Sequence, residues 1–384
     1  MVRRPPGVNR LLTVGRTRTS LSAMHRDQDT AAPASAVLRG PADAVAAVPH
    51  LLGFAPNESL VAIWIRDGAV VLTQRLDIPP DASAAAAGQH LVATAAHAEP
   101  ESLLLVISSK ALPAPAGGLA HDALAKGIVD AAEHAGIAVL DALLTDDSRY
   151  WSYRCSGSCC PPEGRPITAG DRARVEAAFA GPTPRMGREE LVQAWAPDVA
   201  VAAEVEPVIE EWESDLRADL DRAAADARRA VRESWRDAQI AAIETILGTA
   251  TGTLAASDAA RLLVGLADVR VRDTIVWQLG QAEVPRSAVD VLGSALRAAA
   301  PGYTAPVATV LALACWQGGD GARAMIAVDR ALADDPDYRL AHLAAESIGS
   351  GIPPQSWRDL LRGMPREQCR VPEDPGLPRP AGSV

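Results

Sequence analysis

Three cysteines lie close together near the middle of the chain, at Cys155, Cys159 and Cys160, and two prolines follow them. Thiolates bind zinc, but a zinc site needs four ligands, commonly in spaced pairs. This sequence offers no second pair, so a fourth ligand would have to come from elsewhere in the fold. A redox role would need a reactive thiolate, which Arg154 and Arg165 would favour. The preferred interpretation is a rigid structural loop whose prolines fix the backbone.

A second group of polar residues is predicted to border this loop as a candidate ligand pocket: Ser59, Arg75, Asp77, Ser152 and Arg154. Arg75 and Asp77 are two residues apart on a predicted strand, so their side chains share a face about 7 Å apart. An ion pair within the strand is favoured over a substrate clamp. Ser59 follows a turn and begins a buried strand, but the G-x-S-x-G elbow of a hydrolase is absent. We therefore interpret Ser59 as a structural serine.

Composition and motifs narrow the function classes. The sequence contains no P-loop, no G-x-G-x-x-G and no H-E-x-x-H pattern, so the commonest nucleotide and metalloprotease sites are excluded. A net charge of -11 argues against nucleic-acid binding. The longest apolar run, residues 305–316, is shorter than the roughly 20 residues that span a bilayer. Five cysteines, an odd number, favour a reducing cytosol.

Residues 36–181 are predicted to form an α/β layered domain, a mixed sheet with helices on its faces. The runs 60–65 and 103–107 are apolar at every position, which indicates strands covered on both faces. Asp67-Gly68 is a strong signal for a two-residue hairpin. Strands then alternate with helical segments, the order typical of layered α/β folds. An aromatic strand that begins at Tyr150 leads into the cysteine loop.

Residues 182–368 are predicted to form an all-helical bundle. Residues 201–247 contain almost no helix breaker, which predicts one long helix of roughly 60 Å. Residues 319–349 place small residues and a proline at the spacing of a tetratricopeptide repeat. Since one repeat cannot form a solenoid, we expect a repeat-like hairpin inside a bundle.

Both ends of the chain differ in composition from the two predicted domains. Residues 1–35 are rich in arginine but lack the apolar core of a signal peptide. We expect a disordered extension, or translation that starts at Met24. Residues 369–384 are rich in proline and are predicted to be a disordered tail.

Several stretches together resemble the actinobacterial domain-of-unknown-function family 4192. In the first half they are Leu38–Gly40, Pro49–Val61, Arg75–Asp77, Tyr150–Tyr153 and Cys159–Gly164. In the second half they are Val271–Asp273, Gly319–Gly321 and Asp335–Ala341. The resemblance covers roughly residues 36–362. It implies a bacterial cytosolic protein and supplies no activity.

The leading hypothesis is a cytosolic protein-interaction or scaffold module, with a protein partner on the helical domain. The alternative is an enzyme or small-ligand-binding protein with a pocket beside the Cys155–Cys160 loop. A structural zinc site in that loop is the second alternative. Neither nucleic acid nor membrane is expected as a partner, and the oligomeric state stays open.

Overall fold

The computed structural model describes residues 12–14, 36–111, 118–155, 160–178, 187–250 and 254–369. Cys159, most of the predicted N-terminal extension and the predicted tail lie outside them. The chain divides into two compact units, Met1–Glu190 and Leu191–Val384.

The first unit contains a mixed sheet of eight strands in the order β2-β1-β4-β3-β5-β6-β7-β8. The strands are β1 (Leu12–Val14), β2 (Ala36–Leu38), β3 (Ser59–Arg66), β4 (Ala69–Asp77), β5 (Ser102–Ser108), β6 (Ala138–Thr145), β7 (Arg149–Ser152) and β8 (Arg165–Pro166). The predicted α/β class is therefore confirmed.

Three central strands of this sheet point in one direction. β3 pairs antiparallel with β4 on one side and with β5 on the other, and β5 pairs parallel with β6. β4, β5 and β6 are therefore codirectional, and their carboxyl ends lie at one edge. The connections between them are two helices, α2 (Ala84–Ala95) and α3 (Asp122–His134).

Local signals set the turns of this unit. Asp67 and Gly68 connect β3 to β4 with φ of 52° and 74°, the left-handed pair that a two-residue hairpin requires. Helix α1 (Pro41–Leu52) has proline at its first turn and ends at Gly53, whose φ is 79°. Each of these turns was predicted from the sequence.

The faces of the sheet are covered by different helices. One face packs against α2 and α3 in a core that includes Leu60, Trp64, Leu105, Leu91 and Ile128. The other face lies against α1, which also packs on α4 (Ala169–Ala178). Since β3 and β5 are buried on both faces, their continuous apolar runs follow from this layering.

The aromatic strand is shorter than predicted. β7 ends at Ser152, and Tyr153 and Arg154 already form a turn. The aromatic strand predicted from Tyr150 therefore does not continue as far as the cysteine loop. The Tyr153 hydroxyl instead donates to the carbonyl oxygen of Ala120 at 2.5 Å, so it ties this turn to the start of α3.

The second unit consists of helices. After α5 (Arg188–Gln193), which crosses the division between the units, they are α6 (Val199–Arg222), α7 (Arg228–Thr249), α8 (Ala256–Ala267), α9 (Val269–Leu279), α10 (Arg286–Arg297), α11 (Thr304–Gln317), α12 (Gly321–Asp334), α13 (Arg339–Gly349) and α14 (Pro354–Gly363). None of the described helices is long and apolar enough to cross a membrane.

The single long helix predicted over 201–247 is wrong. The chain leaves the helix at Ala223, which is extended with ψ of 136°, and α7 begins at Arg228. Both helices then pack on α8. Residues 223–227 are alanine and aspartate, so tertiary packing rather than a local breaker ends α6.

Helices α11 and α12 form a closely packed hairpin in the second unit. Every residue of α11 is buried, and Ala324, Val328 and Ala331 of α12 face the core. Arg272 of α9 donates at 2.6 Å to the hydroxyl of Tyr338, the residue that precedes α13, and pairs with its neighbour Asp273 at 2.7 Å. The start of α13 is therefore tied to α9. The likeness to a tetratricopeptide repeat stays a prediction.

Candidate functional site at the polar edge of the sheet

One row of polar residues crosses the sheet at the carboxyl ends of β4, β5 and β6. Residues that pair directly across neighbouring strands project from the same face. The paired positions in this row are Asp77, Ser59, Ser108, Thr145, Tyr150 and Arg165. Residues 60–65 of β3 and 103–107 of β5 are all apolar, so this polar edge, as we call the row, differs sharply from the middle of those two strands.

Three of the predicted pocket residues meet at one end of the polar edge. The Arg75 guanidinium donates to Ser59 Oγ from Nε at 2.9 Å and from Nη2 at 2.7 Å. Its Nη2 also lies 2.6 Å from Asp77 Oδ1. The Ser59 hydroxyl in turn donates to the carbonyl oxygen of Asn57 at 2.7 Å.

These contacts decide between the interpretations offered for Ser59 and Arg75. The predicted ion pair within β4 is present, and Ser59 has its proton and both lone pairs engaged in hydrogen bonds. Ser59 is also fully buried, which favours the interpretation of a structural serine. Arg75 Nη1, by contrast, makes no hydrogen bond with the described residues.

A second cluster, which sequence reasoning missed, lies just beyond the end of β5. Ser109 Oγ donates to Glu58 Oε2 at 2.8 Å and lies 3.1 Å from His121 Nε2. It also accepts from the backbone N–H of Ala111 at 3.1 Å. Glu58 Oε1 accepts from the backbone N–H of Lys110 at 2.8 Å. This backbone hydrogen bond is the main reason that the pKa of Glu58 lies below its usual value.

The backbone is strained where this cluster forms. Glu58 and His121 have φ of 41° and 60°, in the left-handed region that non-glycine residues seldom adopt. Such strain tends to concentrate at functional sites, where the surrounding structure holds the residue in place. In this cluster a hydroxyl, an imidazole and a carboxylate from three separate segments are held within hydrogen-bond distance.

The remaining predicted pocket residues lie elsewhere on the sheet. Ser152 donates to Asp141 Oδ1 at 2.6 Å and accepts from the backbone N–H of Arg154. Arg154 forms an ion pair with Glu133 at 2.8 Å. β5 and β6 separate this group from Ser59, and three strand spacings correspond to about 14 Å. The five residues therefore form two groups rather than one pocket.

Burial changes the pKa values of ionisable groups near Ser152. Asp141 lies at an irregularity in the pairing of β5 with β6 and is half-buried. Burial raises the pKa of this carboxyl, and the Ser152 hydroxyl bond opposes the shift. Burial likewise raises the pKa of Tyr150.

The described part of the cysteine loop rests on Trp151. The indole N–H of Trp151 donates to the carbonyl oxygen of Pro162 at 2.9 Å, and Gly164 packs flat on the ring. Cys155 and Cys160 are half-buried. Among the described residues no cluster of three metal-ligating side chains occurs, but Cys159 lies outside them. Zinc and redox roles for the three cysteines therefore stay predictions.

The missed residues had one usable signal. Ser109 and Lys110 directly follow a fully apolar strand, and ligands of open α/β sheets bind beyond the carboxyl ends of parallel strands. Applying that rule would have selected Ser109 and Lys110. Glu58 and His121 are far from Ser109 in the sequence, and only the topology brings them there.

Fold and site together define a protein with an α/β unit, a polar edge at the carboxyl ends of its parallel strands, and a helical unit that follows. The family model described as "Domain of unknown function (DUF4192)" matches residues 41–355. The chain belongs to this family, as its resemblance predicted. No curated protein and no solved structure matches it significantly. An actinobacterial origin stays a prediction.

Proposed function

We propose that the α/β unit binds a small molecule bearing acceptor oxygens, such as a carboxylate or phosphate, at the polar edge. The observation that carries this proposal is the row of polar residues at the carboxyl ends of three codirectional strands. Open α/β sheets bind their ligands at this position. The proposal concerns binding, and it assigns no reaction.

Unused hydrogen-bond donors supply the chemistry of recognition. Arg75 Nη1 makes no hydrogen bond with the described residues, and the exposed Lys110, just beyond β5, has no ion pair among them. Arg75 is already oriented by Ser59 and Asp77, so little side-chain entropy is lost when it binds an oxyanion. Ser109 and His121 border the same edge and add a hydroxyl and an imidazole.

The chain has only two lysines, Lys110 and Lys126, which makes a direct test possible. The full-length protein is first screened by thermal unfolding against carboxylated and phosphorylated metabolites. A ligand at 100 times its Kd stabilises the folded state by about 2.7 kcal/mol. For a folding unit of 150–250 residues, such as the α/β unit, that corresponds to an increase in Tm of roughly 5–11 °C.

Each hit is then tested by lysine acylation and mass spectrometry. The expected result is that the ligand slows acylation of Lys110 and leaves Lys126, on the exposed side of α3, unchanged. Lys110→Gln should weaken binding, whereas the matched variant Lys126→Gln should not. The proposal is wrong if no compound raises Tm, or if hits protect both lysines equally.

A protein-interaction role for the helical unit is the second proposal, and one observation favours it. Leu343 on α13 and Leu360 on α14 expose 55% and 57% of their surface, and they are the two leucines among the four large apolar side chains that are exposed in the described residues. We propose a protein partner that covers these leucines in the bacterial cytosol. The test is co-purification of the tagged full-length chain from its native host.

A stoichiometric partner should be lost with Leu343→Asp and Leu360→Asp. Val199→Asp is the matched control, because Val199 on α6 is 81% exposed and its replacement introduces the same charge. A clean monomer with no partner, or loss of the partner in all three variants alike, contradicts the interaction role.

A further inference from the structure

A groove that is open to solvent lies on the helical layer of the α/β unit. It lies between α2 and α3 and has a volume of about 510 Å³, within the range of small-molecule sites. Val92, Gly127 and Ala131 form much of its apolar lining, and Gln89, Asp130 and His134 contribute polar groups. Asp130 lies more than two helical turns from His121, so the groove is separate from the polar edge.

The close crossing of the two helices produces this groove. A Cβ on Gly88 would come within 2.8 Å of the Gly127 carbonyl oxygen, and one on Gly127 within 2.9 Å of Ala84 Cβ. The helices therefore touch through their backbones at this level. Near Val92 and His134 the side chains between the helices are small, and the space between the two helices is open there.

The polar groups of the groove are acceptors or can act as acceptors. His134 Nδ1 lies 2.7 Å from the Asp130 carbonyl oxygen. Because a carbonyl oxygen can only accept, Nδ1 carries the proton, and Nε2 of the neutral ring presents a lone pair. The Asp130 carboxylate has no ion pair and no side-chain hydrogen bond among the described residues. The amide of Gln89 is likewise without a hydrogen bond there.

We infer that this groove binds a small alkylammonium compound. The ammonium group would donate to the Asp130 carboxylate and to His134 Nε2, which together satisfy its charge and its N–H groups. The aliphatic body would lie against Val92 and the alanines of the groove. A carboxylate and a neutral imidazole do not favour an anion, so the ligand differs in class from the one proposed for the polar edge.

The experiment is isothermal titration calorimetry of the full-length protein with 1,4-diaminobutane and n-butylamine at pH 8. The neutral isostere 1-butanol serves as the uncharged control. The wild-type protein should bind both amines and not the alcohol. Asp130 is exposed and an exposed ion pair contributes roughly 0.2–1 kcal/mol, so Asp130→Asn should weaken binding by about 1.5-fold to 5-fold.

Two further variants test whether binding depends on the groove itself rather than on overall charge or on misfolding. Asp122→Asn removes the same charge from the first turn of α3 and should leave affinity unchanged. Ala93→Leu fills the groove from the exposed side of α2 without changing charge, and it should abolish binding while Tm stays near the wild-type value. The inference is overturned if neither amine binds, if Asp130→Asn and Asp122→Asn bind alike, or if Ala93→Leu binds normally.

Discussion

Replacement of Asp268 should destabilise the helical unit more than any ordinary helix cap would. Asp268 precedes α9 and is only 3% exposed. Its Oδ2 accepts from Arg236 Nε at 2.9 Å and forms an ion pair with Arg236 Nη2 at 2.9 Å. Its Oδ1 accepts from the backbone N–H groups of Arg270 and Val271 at 3.0 and 3.2 Å. One carboxylate thus caps α9 and neutralises a buried arginine on α7.

The magnitude follows from these two roles. Removing one partner of a buried ion pair costs about 3–5 kcal/mol, and losing an N-cap aspartate costs about 1 kcal/mol. Glu233 still lies 3.5 Å from Arg236, so the ion-pair loss should fall at the lower end of its range. Asp268→Ala should therefore cost about 4 kcal/mol, and Asp268→Asn, which retains a cap acceptor, about 3 kcal/mol.

Urea unfolding followed by tryptophan fluorescence measures this cost. Six of the eight tryptophans lie in the second unit, because only Trp64 and Trp151 precede Leu191. Asp320→Ala is the matched control, since Asp320 caps α12 at 3.0 Å through a carboxylate that is 37% exposed. It should cost about 1 kcal/mol. Equal costs for Asp268→Ala and Asp320→Ala would refute the reasoning.

Three further predictions concern the α/β unit. Gly164→Ala should lower the unfolding free energy by about 2–4 kcal/mol in thermal unfolding, because φ is +77° and the new Cβ would meet the Trp151 ring at 2.5 Å. Gly136→Ala is the control: Gly136 has the same φ but open space around it, and its replacement should lower the unfolding free energy by only about 1 kcal/mol. Since burial raises the pKa of Asp141, its contribution to stability is present below the unfolded pKa and declines as pH rises through the folded value. The unfolding free energy of Asp141→Asn minus that of the wild type should therefore increase from pH 4 to pH 7, and a flat difference would contradict this. A backbone N–H lowers the pKa of Glu58, so the contribution of Glu58 to stability is lost as pH falls through the folded pKa. In Glu58→Gln, the unfolding free energy should therefore depend less on pH below about pH 4.5, the ordinary glutamate range.

The layered half of the fold could be predicted because its signals are local. Apolar runs marked β3 and β5, Asp67-Gly68 marked the hairpin, and Gly53 marked the end of α1. Each signal acts within a few residues, and the surrounding structure does not oppose it. The break between α6 and α7 has no such signal, because Ala223 and its neighbours are strong helix formers.

The candidate site was predictable only in part. Arg75 and Asp77 are neighbours on one strand, so their ion pair follows from strand periodicity. Ser109 and His121 meet because α3 starts where β5 ends, and the pairing of β3 with β5 brings in Glu58. Such contacts depend on strand order, which periodicity does not specify.

The position of β3 has a consequence for synthesis in the cell. The hairpin of β3 and β4 leaves the ribosome before β5, which is the other neighbour of β3. Strand β5 follows only after α2 has been made. Until then the strand exposes an open hydrogen-bonding edge along an entirely apolar segment, which invites aggregation. Fragments that stop before residue 102 should therefore be insoluble, and nascent chains of that length should need a chaperone.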